Sequence, residues 1–255
     1  PALAKSYNIY MHRVLVIIPA HNEAENISAV ITELQRDFSA ADILVVNDYS
    51  TDTTREIVAK HHIPCVDNIF NLGYAWSIQT GLKYATAKGY DYAIQFDADG
   101  QHIAAEATKL YQTAVKANSD IVIGSRYLED SGYKCAFFRR LGQKIFSLLI
   151  RIFCQKRITD PLSGFQCLNR RVIEKYASFN DYPEFPDANL IIEMLYRGYK
   201  VTEAPVKMRQ RQAGESMHGG IIAPIKYMVN MFYSIFFVFL QHFGFKRRFK
   251  EKLHR

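Results

Sequence analysis

The chain has 255 residues, of which 49% are hydrophobic and 22% charged, so it can bury a large core and is not a disordered protein. Its formal net charge of +7 leaves nucleic acid, an anionic membrane surface and phosphorylated substrates as possible partners. Six cationic residues crowd the last ten positions, directly after an apolar stretch. This placement favours a membrane surface over nucleic acid, and the residues are Lys246, Arg247, Arg248, Lys250, Lys252 and Arg255.

The cysteines and the first residues indicate a reducing compartment. No C-x-x-C pair occurs, so the spacing predicts neither a zinc site nor a disulfide framework, and a cytosolic environment fits. Residues 1–10 show no signal-peptide pattern and are predicted to be a leader or tag ahead of a natural start at Met11. The four cysteines are Cys65, Cys135, Cys154 and Cys167.

Hydrophobic periodicity predicts strands that alternate with helices. Short β-branched runs are typical of buried strands, and apolar residues three and four positions apart are typical of amphipathic helices. The predicted strands are Val14–Pro19, Asp42–Val46, Ile63–Val66, Tyr92–Phe96 and Ile121–Gly124. The predicted helices between them are Asn26–Phe38, Thr51–His61 (opened by Ser50 or Thr51), Tyr74–Ala87 and Ala104–Ala117. This order predicts an α/β fold with a mostly parallel sheet flanked by helices.

Polar residues follow four of the predicted strands at the point where each strand ends. Ligands of such sheets bind in the crevice beyond the carboxyl ends of the strands. One such cluster would mean little, but four of them predict a site. The clusters are His21-Asn22-Glu23, Asn47-Asp48, Asp97-Ala98-Asp99 and Ser125-Arg126.

The segment Asp97-Ala98-Asp99-Gly100 carries the most specific chemistry. Two neighbouring carboxylates repel each other unless a cation lies between them. Mg²⁺ or Mn²⁺, bound by oxygens and completed by substrate phosphates, meets this need. A D-x-D pair also occurs in Asp-rich turns and helix caps, so the motif alone leaves metal binding and a structural turn equally open.

An ordered series of motifs resembles the family 2 glycosyltransferases of the GT-A fold, and within them the polyprenyl-phosphate sugar synthases. The resemblance covers about residues 14–216. Its motifs are Pro19-Ala20-His21-Asn22-Glu23, Val46-Asn47-Asp48-Tyr49-Ser50-Thr51-Asp52, Asn71-Leu72-Gly73-Tyr74-Ala75, Asp97-Ala98-Asp99-Gly100-Gln101-His102, Ile123-Gly124-Ser125-Arg126-Tyr127, Asp160-Pro161-Leu162-Ser163-Gly164-Phe165 and Arg211-Gln212-Ala213-Gly214-Glu215-Ser216.

The resemblance implies a role for each matching position. The metal that bridges the donor diphosphate would be held by Asp97, Asp99 and Gln101. The catalytic residues would be Asp97, Asp99, Arg126 and Asp160. The UDP- or GDP-sugar donor would contact Pro19, His21, Glu23, Asp48, Gly73, Asp97, Ala98, Arg211 and Ser216, the last two in a loop that closes over it. Structural alternatives stay open: Asp48 could cap a turn, Gly73 could be only a turn residue, and Asp160 could hold the Gly164 turn.

The acceptor is either a phosphate or a sugar hydroxyl. A phosphate, with a second pKa of about 6, is already anionic at neutral pH and needs positive charge and not a base. Arg126, Arg139 and Arg140 lie where such charge would be needed. A hydroxyl acceptor would need a general base, for which Asp187 and Glu193 are the candidates. The apolar tail and the arginines favour a polyprenyl phosphate.

The segment 227–245 has no Asp, Glu, Lys or Arg and precedes the basic cluster. A helix lying in an anionic headgroup region is favoured over a spanning helix and over a core or dimer helix. The predicted organisation is a catalytic domain at 11–220 and a membrane-associating helix with a basic tail at 221–255, on the cytoplasmic face of the cell membrane.

A second apolar, basic stretch, Leu141–Arg157, is predicted either to approach the lipid or to be an ordinary buried helix. The oligomeric state, a homo-oligomer included, stays open.

Overall fold

The computed structural model describes residues 12–129, 137–180, 182–209 and 222–253. The strands of this part of the chain are β1 (Val14–Ala20), β2 (Asp42–Asn47), β3 (Cys65–Asp67), β4 (Tyr92–Gln95), β5 (Ile121–Ser125), β6 (Gln166–Asn169) and β7 (Val201–Pro205). Its helices are α1 (Ile27–Asp37), α2 (Thr54–Lys60), α3 (Tyr74–Lys88), α4 (Ala104–Ala117), α5 (Phe137–Cys154), α6 (Arg170–Ala177), α7 (Ala188–Tyr196) and α8 (Ile222–Leu253).

The seven described strands form one sheet in the order β3-β2-β1-β4-β6-β5-β7. β1 pairs in parallel with both β2 and β4, and β5 pairs in parallel with β7. Only β6 runs against its described neighbours, β4 and β5. The mostly parallel sheet that the sequence predicts is therefore confirmed, and its carboxyl ends meet along one edge.

Helices cover both faces of the sheet, and each face has its own hydrophobic core. The side chains of β1 alternate between the two cores: Leu15 and Ile17 join the core under α3, α5, α6, α7 and α8, whereas Val16 and Ile18 join the core under α1, α2 and α4. This period-2 alternation is what a strand buried on both faces requires.

Helix α3 crosses β1 closely because it carries a glycine at the crossing. A Cβ placed on Gly81 would come within 2.3 Å of Ile17 Cγ2. Any larger residue would therefore have to displace the β1 side chain or the helix. The close crossing brings the N-terminus of α3, with Tyr74, to the carboxyl edge of the sheet.

The five predicted strands and four predicted helices all appear; α4 has the predicted bounds, and the other elements are shifted at one or both ends. The largest shift is that of α2, which begins at Thr54 and not at Thr51. The side chain of Asn22 accepts hydrogen bonds from the backbone N–H groups of Thr51 and Asp52, so these residues form a turn tied to the loop after β1. Helix α5 spans most of the predicted stretch Leu141–Arg157.

Helix α8 contains the segment 227–242 whose side chains are described, and it is attached to the domain along one face. Met231 and Ile235 are buried in the core beneath α5 and α7, while the opposite face is exposed. Within the described ranges, no helix is both long and apolar enough to cross a membrane.

Candidate active site at the carboxyl edge of the sheet

The loops after β1, β2, β4 and β5 bring the four predicted polar clusters to one edge. Ala20 is in register with Asn47, which places the loop after β1 beside the loop after β2. β4 lies on the other side of β1, so the D-x-D turn flanks the same loops. Pro19 is buried at the end of β1, and Ala98 is buried between the two carboxylates.

Asp48 organises the loop that leads into α3. Its carboxylate is buried and accepts three hydrogen bonds: from Asn68 Nδ2 at 2.8 Å, from Leu72 N at 2.9 Å and from Gly73 N at 2.7 Å. Gly73 has a φ of +87°, a conformation that favours glycine. The carboxylate thus holds the loop before α3 in shape, and a contact with a nucleotide stays a prediction.

His21 lies at the entrance to this loop. Its Nδ1 lies 2.7 Å from the carbonyl oxygen of Asp48, so Nδ1 carries the proton and donates. Nε2 then accepts from the amide groups of Asn22 and Asn71, each at 3.2 Å. The carboxylate of Glu23 accepts from Asn26 Nδ2 at 2.9 Å.

Asp97 and Asp99 follow β4 directly. The side chain of Asp97 is 31% exposed, and its Oδ1 accepts a hydrogen bond from Tyr74 Oη at 3.0 Å. Asp99 is more deeply buried, and its Oδ1 accepts from the backbone N–H of Gln101 at 3.0 Å. Burial, followed by the charge of Asp97, raises the pKa of Tyr74 well above its usual value, so the phenol stays a donor.

His102 supports the turn from below. Burial lowers the pKa of this histidine, so its ring is neutral. The backbone N–H of Asp97 donates to Nδ1 at 2.9 Å, which leaves the proton of the neutral ring on Nε2, 3.6 Å from Asp97 Oδ2. The ring stacks on Phe165 with centroids 4.2 Å apart.

Arg126 pairs with Asp160 across the edge of the sheet. Arg126 Nε donates to Oδ2 at 2.7 Å and Nη2 donates to Oδ1 at 2.8 Å, a bidentate arrangement. The Asp160 side chain is fully buried and that of Arg126 is 11% exposed. Glu203 of β7 fixes the backbone here, because its carboxylate accepts from the N–H groups of Thr159 and Asp160. Burial raises the pKa of Glu203.

A second arginine lies beside this pair. The guanidinium carbon of Arg140 lies 4.1 Å from the ring centroid of Tyr127, and that of Arg126 lies 5.6 Å from the same ring. Tyr127 therefore contacts two of the three predicted acceptor arginines. Among the other predicted site residues, Arg211 and Ser216 lie outside the described residues, as does the side chain of Arg139.

Asp187, one of the two predicted base candidates, lies at the start of α7 and is linked to α8. Tyr227 Oη donates to its Oδ2 at 2.7 Å. Burial raises the pKa of Asp187 to about 6, while Tyr227 and Arg126 lower it and the charges of Asp160 and Asp97 raise it further. The charges of the D-x-D turn and of the Arg126–Asp160 pair thus both change the pKa of Asp187. Glu193 instead pairs with Arg197 one helical turn later, at 2.8 Å.

The donor set at the D-x-D turn suits a hard divalent cation. Asp97 and Asp99 offer carboxylate oxygens, and the predicted third ligand, Gln101, carries an amide oxygen two residues after Asp99; Mg²⁺ and Mn²⁺ prefer oxygens of both types. Among the described residues, no three His, Cys, Asp or Glu side chains cluster as a complete metal site. Two carboxylates would therefore need further oxygens, which is the arrangement in which substrate phosphates complete the coordination.

Several residues of the site carry no prediction from the sequence, namely Tyr74, His102, Tyr127, Glu203 and Tyr227. Tyr74, His102 and Tyr127 stand inside quoted motifs, and their position there is the signal that could have identified them. Glu203 and Tyr227 have no such signal, because they reach the site only through the folding of β7 and α8.

The sequence of the chain is similar to those of known glycosyltransferases. The model of glycosyl transferase family 2 matches residues 15–177. Polyprenol monophosphomannose synthase of Mycolicibacterium smegmatis is 28% identical over 217 residues, which cover 82% of each chain. Dolichol-phosphate mannosyltransferase of Pyrococcus furiosus is 32% identical over 215 residues, which cover 80% of this chain and 58% of that protein.

Two solved structures have the same fold. Glucosyl-3-phosphoglycerate synthase from Mycobacterium tuberculosis, in complex with Mn²⁺, UDP and phosphoglyceric acid, superposes with a TM-score of 0.64 at 14% identity and covers 91% of this chain and 78% of that one. A mannosyltransferase from Pyrobaculum calidifontis, in complex with GDP-Man and Mn²⁺, superposes with a TM-score of 0.59 at 18% identity and covers 93% and 64%. The chain has a GT-A-like fold and belongs to glycosyl transferase family 2.

Proposed function

We propose that this protein transfers a hexose from a UDP- or GDP-sugar to a polyprenyl phosphate, with inversion, on the cytoplasmic face of the membrane. The observation that carries the proposal is the juxtaposition of the Asp97–Asp99 turn with the Arg126–Asp160 pair at one edge of a family 2 domain. The names of the relatives, which include mannosyltransferases of polyprenol, dolichol and undecaprenyl phosphates, support this acceptor class.

The nucleotide would occupy the loops after β1 and β2, against Pro19, His21, Glu23, Asp48 and Gly73. Asp48 supports this pocket through the three hydrogen bonds that shape the loop into α3. Ala98 would line the diphosphate side between the two carboxylates.

Asp97, Asp99 and Gln101 would hold a divalent cation there, either Mg²⁺ or Mn²⁺. Such an ion supplies charge stabilisation to a nucleoside diphosphate as it leaves. The two structural neighbours whose complexes contain Mn²⁺ support a divalent metal without distinguishing the two ions. The hydroxyl of Tyr74 would orient Asp97 for this role, since it donates to one of the two carboxylate oxygens.

The loop with Arg211 and Ser216 would close over the donor. Its start is fixed near the metal turn, because the backbone N–H of Arg209 donates to the carbonyl oxygen of Gln101 at 2.8 Å. The side chain of Arg209 is anchored in turn by a bidentate contact with Glu33.

Arg126, Arg139 and Arg140 would position the acceptor phosphate, and Asp160 would hold Arg126 in place. The phosphate oxygen attacks the anomeric carbon in line, the bond from that carbon to the nucleotide diphosphate breaks, and no base has to remove a proton. Catalysis then rests on orientation and charge stabilisation.

A sugar hydroxyl is the second candidate acceptor, and the position of Asp187 favours it. A carboxylate with a pKa of about 6 beside the reaction site suits a general base at neutral pH. The two acceptors differ in what Asp187→Asn does: a phosphate acceptor tolerates the change, whereas a hydroxyl acceptor loses most of its transfer rate.

Residues 221–255 would associate with the membrane, with α8 lying in the headgroup region and the basic tail on anionic lipid, and residues 11–220 would form the catalytic domain. The exposed apolar face of α8 supports this arrangement. It would bring a lipid-linked phosphate to the arginines without removing the polyprenyl chain from the bilayer.

The test incubates the protein with labelled UDP-glucose, UDP-GlcNAc, UDP-galactose or GDP-mannose, with Mn²⁺ or Mg²⁺, and with both a polyprenyl phosphate in detergent and soluble glycan acceptors. We expect one donor to label the organic phase, and Asp99→Ala or excess chelator to abolish the labelling while the melting temperature stays unchanged. Labelling of a soluble glycan alone would show the acceptor to be a hydroxyl. Full turnover in chelator would overturn the metal assignment.

A further inference from the structure

Helices α5 and α8 together expose an apolar surface. They pack side by side, with the ring centroids of Phe146 and Phe232 5.5 Å apart and those of Phe153 and Phe239 5.0 Å apart. Contiguous apolar surface of this kind marks a contact with another molecule or with lipid. Its exposed members are Leu141, Leu148, Ile152 and Phe153 on α5 and Val229, Phe232, Tyr233, Phe236, Phe237 and Leu240 on α8.

A positively charged pocket opens beside this surface, on α5. Its volume is about 190 Å³, room for roughly six water molecules at ~30 Å³ each. No carboxylate lines the pocket, and no described carboxylate pairs with its three cations. This α5 cation pocket is lined by Gln143, Lys144, Ser147, Leu148, Arg151 and Arg157.

Gln143 belongs to the buried wall of the pocket and is not one of its ligand groups. Its Nε2 donates to the carbonyl oxygen of Thr159, and its Oε1 is buried with almost no accessible surface. A molecule in the pocket therefore meets the exposed cations Lys144, Arg151 and Arg157. Three cations that only donate hydrogen bonds match a phosphate, whose oxygens only accept them.

We propose that the α5 cation pocket binds the headgroup of an anionic bilayer phospholipid, with the phosphate against Lys144, Arg151 and Arg157. Leu148 lies between the pocket and the apolar surface, so the acyl chains of such a lipid can continue along α5. The proposal rests on the proposed membrane contact, but it does not depend on which acceptor receives the sugar.

The chain segment Ile158–Asp160 connects the pocket to the active site. Gln143 and Ser147 donate to the carbonyl oxygens of Thr159 and Ile158. The next residue along the chain, Asp160, holds Arg126. A headgroup in the α5 cation pocket would therefore fix the orientation of the arginine site relative to the bilayer.

The test is binding to sedimented vesicles at low salt, with phosphatidylcholine alone and with added phosphatidylglycerol. In the variant Lys144→Gln/Arg151→Gln/Arg157→Gln, we expect binding to the phosphatidylglycerol vesicles to fall about 100-fold. The matched control is Lys60→Gln/Lys83→Gln/Lys116→Gln, which removes the same charge away from α5 and α8. We expect the control to lose less than about fivefold.

Equal losses in both variants would show that net charge alone drives the binding and would overturn the pocket. Calorimetric titration of the protein with inorganic phosphate distinguishes the source of the anion. Phosphate binding that the pocket substitutions abolish, together with vesicle binding that they leave unchanged, would show a free-phosphate site and overturn the lipid assignment. Melting temperatures check that both variants fold. Transfer to a short-chain polyprenyl phosphate in detergent should be unchanged in the pocket variant, so a failure of the proposed function appears separately, as no transfer by any variant.

Discussion

Asp97 and Asp99 stand one residue apart, yet their carboxylates have different surroundings. Asp97 is partly exposed and accepts from the phenol of Tyr74, whereas Asp99 is buried and accepts from the backbone of Gln101. Both of these donors are neutral, so they fix the direction of each carboxylate without neutralising it. A cation between the carboxylates relieves the repulsion that remains.

The first residue to test is Tyr74. Tyr74→Phe removes the donor to Asp97 and changes little else, so we expect the apparent affinity for Mn²⁺ to fall about tenfold, as for the loss of a hydrogen bond to a charged group. Calorimetric titration of Mn²⁺ measures it. Tyr90→Phe is the matched control, because Tyr90 Oη donates to Asp42 at 2.8 Å at the opposite edge of the sheet. Equal affinities in the two variants would exclude the orienting role of Tyr74.

The raised pKa of Asp187 predicts a pH-dependent stability. The pKa of the Asp187 carboxyl group rises from 3.8 to about 6 on folding, so ionisation of this group destabilises the folded protein. The destabilisation is nearly absent below pH ~4 and complete above pH ~6. When the pH rises from ~4 to ~7.5, the free energy of unfolding of Asp187→Asn should therefore increase by about 1 to 2 kcal/mol relative to that of the wild type. This figure is reduced to allow for the partial exposure of Asp187.

Urea unfolding at the two pH values measures this difference. The control is Asp91→Asn, which removes an exposed carboxylate paired with Arg170 at 3.0 Å. A difference between wild type and Asp187→Asn that does not change with pH would show that the carboxyl group titrates normally.

At the residue scale, the D-x-D turn and the polar strand ends were predictable because parallel strands bring their carboxyl ends to one edge. The partners of these residues were not. Asp160 lies 34 residues after Arg126, and Tyr227 lies 40 residues after Asp187. Such pairs depend on how separate elements pack, and nothing in the local sequence records them.

At the element scale, the apolar periodicity located the strands and helices but only some of their ends. The start of α2 shifts because a side chain from another loop, Asn22, takes the N–H groups of Thr51 and Asp52. The antiparallel strand β6 was not predicted, since four residues with a Gln and an Asn at their ends give no clear period. Helix α8 was predicted from its apolar run, and its buried contacts, Met231 and Ile235, show why it stays attached to the domain.

The two faces of α8 lead to a prediction for the element as a whole. Removing the helix would expose the core, so substitutions on the exposed face are the sharper test. The variant Tyr233→Gln/Phe236→Gln/Phe237→Gln should bind phospholipid vesicles about 100-fold more weakly, at roughly 1 kcal/mol for each half-buried side chain, with an unchanged melting temperature. Vesicle sedimentation measures it.

The control for α8 is Ile69→Gln/Phe70→Gln, since these side chains are also exposed but lie in the loop before α3. This variant should bind vesicles like the wild type. If the control lost as much binding as the α8 variant, exposed apolar area anywhere on the protein would explain the association and α8 would have no special role.

At the scale of the whole molecule, the two cores separate two kinds of surface. One core lies under α1, α2 and α4, and these helices expose no large apolar side chains. The other core lies under α3, α5, α6, α7 and α8. On this side, α5 and α8 form the exposed apolar surface, and α5 carries the cation pocket. The active site opens at the edge of the sheet between them. A bilayer on the α5–α8 side would therefore lie beside the arginines and leave the nucleotide loops in water.

This asymmetry predicts that salt acts on membrane binding and not on chemistry. Charges outside the lipid are screened over about 10 Å at 0.1 M salt and about 3 Å at 1 M, so raising NaCl should weaken binding to anionic vesicles at least tenfold. Binding to neutral vesicles depends on the apolar face and should change less than about twofold. Transfer to a short-chain polyprenyl phosphate in detergent should also change little, because the Arg126–Asp160 pair is buried. Equal salt sensitivity of transfer and of vesicle binding would place the salt-sensitive charges in the active site itself.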